Sequence, residues 1–146
     1  MKKILCTTIL LISSSLASAQ TVTSATVDTS LGRFTLESCV NEFSLAKAET
    51  TKVGYQYWFV DKNFLDGRTV KMSVVAPHSA THPPHNHAED EIFFVLEGNA
   101  EFYLNGNTKT AGPYTSFYCP PNSRHGIRNV GDSVLKYLVL KKYETK

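Results

Sequence analysis

The chain has 146 residues, of which 15 are Lys or Arg and 13 are Asp or Glu. This near balance of charge, with no long basic run, argues against nucleic acid and anionic membrane surfaces as partners. The length suffices for one modest domain with its own hydrophobic core.

Residues 1–19 have the pattern of a secretory signal peptide. Lys2 and Lys3 give a positively charged start, residues 4–16 form a short apolar core, and residues 17–19 read Ala-Ser-Ala. Such a segment is too short for a transmembrane helix and is removed on export. We predict cleavage after Ala19, which leaves a periplasmic or secreted chain with no membrane insertion.

Residues 20–50 are predicted to form an N-terminal segment that precedes the main domain. Its first third is rich in Ser and Thr and suits a tether or a loosely held first strand. Further on, Phe34 and Leu36 alternate as in a strand, whereas Val40 and Phe43 suit a short helix. Short apolar runs of this kind leave both interpretations open.

Residues 51–146 are predicted to form one all-β domain. Short runs rich in β-branched and aromatic residues predict eight strands, at 53–60, 69–76, 92–96, 100–104, 108–111, 115–119, 126–130 and 134–141. Turn pairs separate several of them, and Asn105-Gly106 is the strongest hairpin signal. Many short strands with frequent turns indicate a sandwich or closed barrel.

Three histidines and one glutamate predict a metal site. His85 and His87 are two residues apart, so that on a strand they would point to the same side. Glu91 opens the next predicted strand, and His125 lies beside a third. Three imidazoles and a carboxylate suit one divalent transition metal, namely Mn, Fe, Ni, Zn or Cu.

The spacing of these residues resembles the two sequence motifs of the cupin superfamily. The first motif corresponds to His85-x-His87-x3-Glu91-x6-Gly98, and the second to Pro120-x-Asn122-x2-His125-x3-Asn129. The resemblance implies a single-domain jelly-roll β-barrel of the cupin type, in which His85, His87, Glu91 and His125 hold the metal. It also implies a homodimer.

The chain departs from the family pattern at turn positions. Ser79 stands where a glycine often precedes the first histidine, and Tyr114 and Asn122 replace the two glycines of the second motif. Asn tolerates a left-handed backbone better than most residues, so Asn122 can still serve a turn. These differences leave the four ligand positions intact.

Alternation along the strands suggests which other side chains reach the pocket. Phe93 and Val95 share a face with Glu91, and Ile127 and Asn129 share a face with His125. The predicted substrate-binding residues are Phe93, Val95, Tyr118, Ile127 and Asn129, and the catalytic candidates are Tyr137, Tyr103 and His82. Ordinary barrel packing remains the alternative for each tyrosine. Arg68 and Lys71 could bind an acidic substrate, but we interpret them as solvated charges.

Three classes of function fit these residues. The first is a metal-dependent isomerase or lyase that acts on a small hydroxylated carbonyl compound, such as a sugar or uronate fragment. The second is an iron or copper dioxygenase, and the third is a non-catalytic barrel that binds a small molecule. Cupins that open unsaturated uronates have Gln in the place of Glu91 and an acidic residue near Tyr137, so that particular reaction is not predicted.

Two cysteines remain in the mature chain, Cys39 and Cys119. An exported protein can form a disulfide, but two cysteines so far apart do not resemble a disulfide framework. The sequence leaves open a single bridge or two free thiols.

Overall fold

The computed structural model describes residues 34–63 and 67–144. The predicted signal peptide, its cleavage site and the Ser/Thr-rich tether lie outside these residues, as does Asp66 of one predicted turn. Within the described ranges, no helix is long and apolar enough to cross a membrane.

The domain consists of two antiparallel sheets. Its strands are β1 (Glu49–Thr51), β2 (Gly54–Val60), β3 (Arg68–Val75), β4 (Glu91–Glu97), β5 (Ala100–Leu104), β6 (Asn107–Ala111), β7 (Ser116–Cys119), β8 (His125–Asn129) and β9 (Leu135–Lys142). The larger sheet has the order β1-β2-β3-β9-β4-β7, and the smaller has the order β6-β5-β8. The prediction of an all-β jelly-roll barrel is confirmed.

All eight predicted strands are present, and their ends agree with the prediction to within one residue. The ambiguous N-terminal segment forms a helical turn, α1 (Leu36–Cys39), and a 3₁₀ turn, Leu45–Lys47, before β1. Phe34 and Leu36 therefore do not belong to a strand. Thr35 caps α1 by accepting a hydrogen bond from the Ser38 N–H, which explains why the helix starts there.

Two hydrophobic clusters lie on opposite faces of the larger sheet. The inner cluster fills the barrel and includes Phe93, Val95, Phe102 and Leu135. The outer cluster consists of Tyr57, Met72 and Val74, with Ala48, Tyr55, Phe59 and Leu138 packed against it. Strand β3 is therefore covered on both faces, and its alternate residues serve two different cores.

Turn residues fix the strand connections. Asn105 and Gly106 both have positive φ, 47° and 95°, as the two-residue hairpin between β5 and β6 requires. Gly98, the last residue of the first motif, has φ 85°, and a Cβ there would lie 2.4 Å from the Val134 carbonyl oxygen. Glycine is thus required at position 98 by both backbone conformation and close packing.

Candidate metal centre

The four predicted ligands come from three segments that backbone hydrogen bonds hold together. Glu91 begins β4 and His125 begins β8, whereas His85 forms an isolated antiparallel bridge with His125. Two bonds make this bridge, from His85 N–H to His125 O at 2.9 Å and from His125 N–H to His85 O at 2.8 Å. The predicted strand through His85 and His87 is therefore a bridged loop, and a third bond, from Asn122 N–H to His87 O at 2.8 Å, fixes its other end.

The side chains of these residues converge on one point. His85, His87, Glu91 and His125 each offer a ligand atom, and these atoms all lie within 4.8 Å of one another. Glu91 Oε1 is 2.9 Å from His125 Nε2 and 3.5 Å from His87 Nε2. Glu91 and His125 are buried, with exposures of 7% and 0%. The cluster therefore has the donor set and the spacing that a single transition-metal ion needs.

Outer hydrogen bonds set the tautomers of two histidines. His87 Nδ1 donates to the Glu89 carbonyl at 2.7 Å, and His125 Nδ1 donates to the Ser123 carbonyl at 2.8 Å. In the neutral rings, both Nε2 atoms therefore present lone pairs to the centre. The Nε2 of His125 then faces a carboxylate oxygen 2.9 Å away, and two acceptors at that distance are stable only with a proton or a cation between them.

Two buried nitrogen atoms at the centre lack hydrogen-bond partners. They are His85 Nδ1 and His87 Nε2. Leaving a buried polar atom unpaired costs about 1–3 kcal/mol, so such atoms in a cluster point to a missing ligand. Burial lowers the pKa of His85, and the nearby His82 and His125 imidazoles act in the same direction. His85 is therefore neutral at physiological pH, which is the form that binds metal, and the residues fit a divalent transition-metal ion.

The cluster opens into a cavity of about 400 Å³. Its lining comes from the inner face of the larger sheet, the loop before His85, β8 and the C-terminal end of the described chain. The residues are Thr51, Lys52, Gln56, Lys71, Ser73, Thr81, His82, His85, His87, Glu91, Phe93, Ile127, Tyr137, Val139, Lys141 and Tyr143. A volume of this size suits a small organic molecule.

Tyr137 is the predicted catalytic tyrosine that lines this cavity. It is 3% exposed, and its hydroxyl forms hydrogen bonds with the side chains of Ser73 and Thr81. Burial raises the pKa of Tyr137 above its ordinary value of 10.0. The phenol therefore keeps its proton at neutral pH and can donate it.

The other predicted pocket residues fall into two groups. Phe93, Ile127 and His82 line the metal-bearing cavity, and the His82 ring meets the His85 ring edge-on at 4.5 Å between centroids. Tyr103 lines a different cavity of about 420 Å³, which lies against the smaller sheet and shares Thr81, His82 and Ile127 with the first. Tyr103 points away from the barrel interior because its strand neighbours, Phe102 and Leu104, contribute to the core.

Three predicted substrate-binding residues do not line the metal-bearing cavity. Val95 is completely buried among core side chains, and Tyr118 is 53% exposed because its neighbours in β7, Phe117 and Cys119, take the inward positions. Asn129 shares the face of His125 as predicted, but its amide donates to the carbonyls of Val75, Ala76 and Ser133. Asn129 thus joins β8 to two chain segments and does not line the metal-bearing cavity.

Sequence reasoning favoured a solvated Lys71 over one that binds an acidic substrate, and it missed the other lysines of the cavity, Lys52 and Lys141. Lys71 and Lys141 lie on the inner face of the larger sheet, where Lys141 is paired in register with Glu91. Lys71 is not solvated as predicted, because the outward positions of β3 are taken by Met72 and Val74 of the outer cluster. In the sequence, Lys71 and Ser73 alternate with apolar residues. This alternation shows that the polar and apolar side chains lie on opposite faces of the strand, but not which face is turned toward the barrel interior.

The fold and the site thus define the class of protein, which is a small all-β barrel with a candidate metal centre. The chain belongs to the cupin superfamily: the family profile described as "Cupin domain" matches residues 71–141, which contain all four candidate ligands. No curated protein sequence matches the chain significantly.

Solved structures give the same fold. A Cupin 2 conserved barrel domain protein from Salinispora arenicola CNS-205 is 21% identical with a TM-score of 0.59, covering 71% of this chain and 87% of its own. The polyketide cyclase RemF from Streptomyces resistomycificus is 22% identical (TM-score 0.59; 70% and 79% covered), and KdgF from Halomonas sp. is 18% identical (TM-score 0.53; 62% and 81% covered). At these identities the similarity shows the fold alone.

Proposed function

We propose that this protein is an exported cupin that binds one divalent transition metal and acts as an isomerase or lyase on a small hydroxylated carbonyl compound, such as a sugar or uronate fragment. The observation that carries the proposal is the convergence of three histidines and Glu91 at a cavity, with two of the imidazole nitrogens unpaired. A bound metal would supply Lewis acidity toward a carbonyl or hydroxyl oxygen.

The chain supplies a proton donor and a binding surface beside that centre. Tyr137 offers a buried phenol that keeps its proton at neutral pH, and Ser73 and Thr81 fix the position of its hydroxyl. Thr81 and Tyr137 both line the cavity, so a hydroxyl group of the substrate can reach the Tyr137 phenol. Isomerisation and elimination next to a carbonyl each need a proton to be moved at a defined atom, which a positioned side chain accelerates.

An iron- or copper-dependent dioxygenase is the second candidate. The same donor set suits iron and copper. The apolar side chains of Phe93, Ile127 and Val139 line the cavity and would favour an apolar substrate. A non-catalytic barrel that binds a small molecule is the third candidate, and it shares the cavity but needs neither open metal positions nor a proton donor.

Metal identity separates these candidates. The experiment is elemental analysis of untagged mature protein, followed by turnover assays on the same preparation with and without chelation. Zinc, manganese or nickel, with chelator-sensitive conversion of a sugar or uronate, would support the isomerase or lyase. Iron or copper with substrate-dependent O2 uptake would support the dioxygenase instead. Protein that retains no metal after dialysis against each ion would contradict both catalytic proposals.

We also propose export, on the pattern of residues 1–19. Expression of the full chain and mass determination of the product outside the cytoplasm should give a protein that begins at Gln20. A product that keeps Met1 and stays in the cytoplasm would contradict this.

A homodimer is proposed through the outer face of the larger sheet. Leu140, Ile92 and Tyr118 lie in register across β9, β4 and β7, and they are 37%, 39% and 53% exposed. Such a continuous apolar row on a sheet surface is typical of a subunit contact. Light scattering should give twice the monomer mass, and Ile92→Glu should give the monomer, whereas a monomeric parent protein would contradict the proposal.

A further inference from the structure

Lys71 is an inward-facing lysine on which the Glu91 and Glu49 carboxylates act favourably, but without forming an ion pair. It lies on β3 in register with Trp58 on one side and Val139 on the other, and it lines the metal-bearing cavity. Its Nζ atom lies 5.0 Å from the centroid of the Trp58 ring. Within the described ranges its ammonium forms no ion pair, whereas Lys141 lies 3.5 Å from Glu89.

The cavity as a whole is also positively charged. Its lining contains three lysines, at positions 52, 71 and 141, against the single carboxylate of Glu91. A divalent metal at the histidine cluster would add further positive charge. A partly desolvated cation that forms no ion pair is unfavourable, so the excess of lysines makes the cavity electrostatically complementary to an anion.

The distance between Lys71 and the metal cluster suits one small molecule. On the inner face, Lys71 and Glu91 are separated by β9 and by one two-residue step along the strands. The corresponding Cα separation is roughly 12 Å, from an interstrand spacing of about 4.8 Å and a rise of about 3.3 Å per residue. The lysine side chain spans about half of that distance, and a short acid of roughly five or six carbons can span the rest.

We propose that Lys71 binds the anionic group of the substrate, and that the substrate of this cupin is therefore a small carboxylate whose other end reaches the histidine–glutamate cluster. The inference rests on the proposed function, because it takes the same cavity as the substrate site. Ser73, which pairs in register with Gln56 beside Lys71, supplies a hydroxyl for the same end of the molecule, whereas the Gln56 amide N–H donates to the Glu49 carboxylate at 2.6 Å. Charge-assisted hydrogen bonds to Lys71 would then select acids over neutral analogues.

The experiment compares D-glucuronate with D-glucose, two sugars that differ in one carboxylate. Trp58 is the only tryptophan of the chain and contacts Lys71, so its fluorescence and its single indole N–H signal report on an anion there. Titrations use metal-free protein as well as metal-loaded protein. If the proposed metal site is wrong, the protein will bind no metal, but glucuronate can still be titrated into the metal-free protein. The two proposals can therefore fail independently.

The variants are Lys71→Met, Lys71→Arg, and Lys109→Met as a matched control on an exposed lysine of β6. We expect glucuronate to bind wild type more tightly than glucose, Lys71→Met to weaken glucuronate binding by about tenfold or more, and the other two variants to stay within a few-fold of wild type. Calorimetric titration of each variant provides a readout that does not depend on Trp58. Equal affinity for the two sugars, or unchanged glucuronate binding in Lys71→Met, would overturn the proposal.

Discussion

His85 and His125 are joined by two backbone hydrogen bonds, so the loop that carries the first pair of ligands is attached to the strand that carries the last one. The attachment does not involve their side chains. We therefore expect His85→Ala and His125→Ala to fold with native circular dichroism while each loses most of its bound metal. Elemental analysis after dialysis against the metal measures the loss.

The matched control for these variants is His78→Ala. His78 is exposed, interacts with Asp132 at 2.9 Å and is not one of the four clustered residues. The His78→Ala variant should bind metal in the same stoichiometry as the wild-type protein. Full metal content in both His85→Ala and His125→Ala would show that the four residues are not the ligands.

Asn129 gives a test that separates a structural role from substrate binding. It is fully buried, donates to three backbone carbonyls and accepts from Gly131 N–H at 2.9 Å. Asn129→Ala should lower the free energy of unfolding by roughly 2–4 kcal/mol, because several buried carbonyls lose their donor. Urea denaturation measures this. A variant of unchanged stability with impaired ligand binding would instead support the sequence-based assignment of Asn129 to the substrate.

Tyr114 occupies a backbone conformation that favours glycine. Its φ is 60° and its side chain is 83% exposed, so little packing compensates for the left-handed backbone. Tyr114→Gly should raise the free energy of unfolding by up to about 1 kcal/mol, the relief of left-handed strain less the added chain entropy.

Asn122 is the natural control for Tyr114. It has nearly the same φ, 61°, but Asn adopts this conformation more readily than Tyr does. Asn122→Gly should therefore change the free energy of unfolding by only about a few tenths of a kcal/mol. An equal gain in both variants, or a loss in Tyr114→Gly, would show that backbone strain does not govern position 114.

The two replaced glycines also show what the sequence could predict. The motif resemblance identifies Tyr114 and Asn122 as substitutions at turn positions, and both have the positive φ that a glycine position implies. The strands were predictable for a similar reason, because turn signals and β-branched runs are local features. Only the motif resemblance predicts that four distant side chains meet, because periodicity alone cannot say which strands are neighbours. These side chains are those of His85, His87, Glu91 and His125.

The side-chain directions in β3 could not be predicted, because they depend on packing elsewhere. Val70, Met72 and Val74 are apolar and would be assigned to the barrel interior by hydrophobicity alone, yet Met72 and Val74 belong to the outer cluster. That cluster exists because Phe43 and Ala48, from the ambiguous N-terminal segment, lie against the same region: the Phe43 ring contacts Tyr57 edge-on at 5.1 Å. A polar Lys71 could therefore turn inward toward the cavity.

The two cysteines of the mature chain should differ in reactivity. Both are free, Cys39 on the surface and Cys119 in the core. Burial, with a smaller contribution from the Glu91 carboxylate, raises the pKa of Cys119 to about 12, so its reactive thiolate is scarce at pH 8. A thiol-specific chromogenic reagent should label one cysteine in native protein and two in guanidinium, and Cys39→Ser should remove the native signal. Labelling of Cys119 in that folded variant, or an intact mass showing a disulfide, would contradict the assignment.

Lys71→Met should make the protein more stable at neutral pH. Burial is the largest effect on Lys71 and lowers its pKa below the ordinary 10.5, which means that the folded protein disfavours the charged form. The unfolded chain therefore binds this proton more tightly, and the stability of wild type rises with pH between the folded pKa and 10.5. Methionine removes the buried charge while keeping a long side chain against Trp58, so the Tm at pH 7 should rise by roughly 2–5 °C for a domain of this size.

The pH dependence distinguishes this effect from simple repacking. The advantage of Lys71→Met over wild type should shrink as the pH approaches 10.5, since deprotonation removes the same charge from the wild-type protein. Lys109→Met, at an exposed position, should match wild type throughout. Thermal denaturation of the three proteins across this pH range measures the difference. A Lys71→Met variant less stable than wild type at pH 7 would mean that the ammonium is favourably placed without a ligand, and the argument for an anion beside it would lose its electrostatic basis.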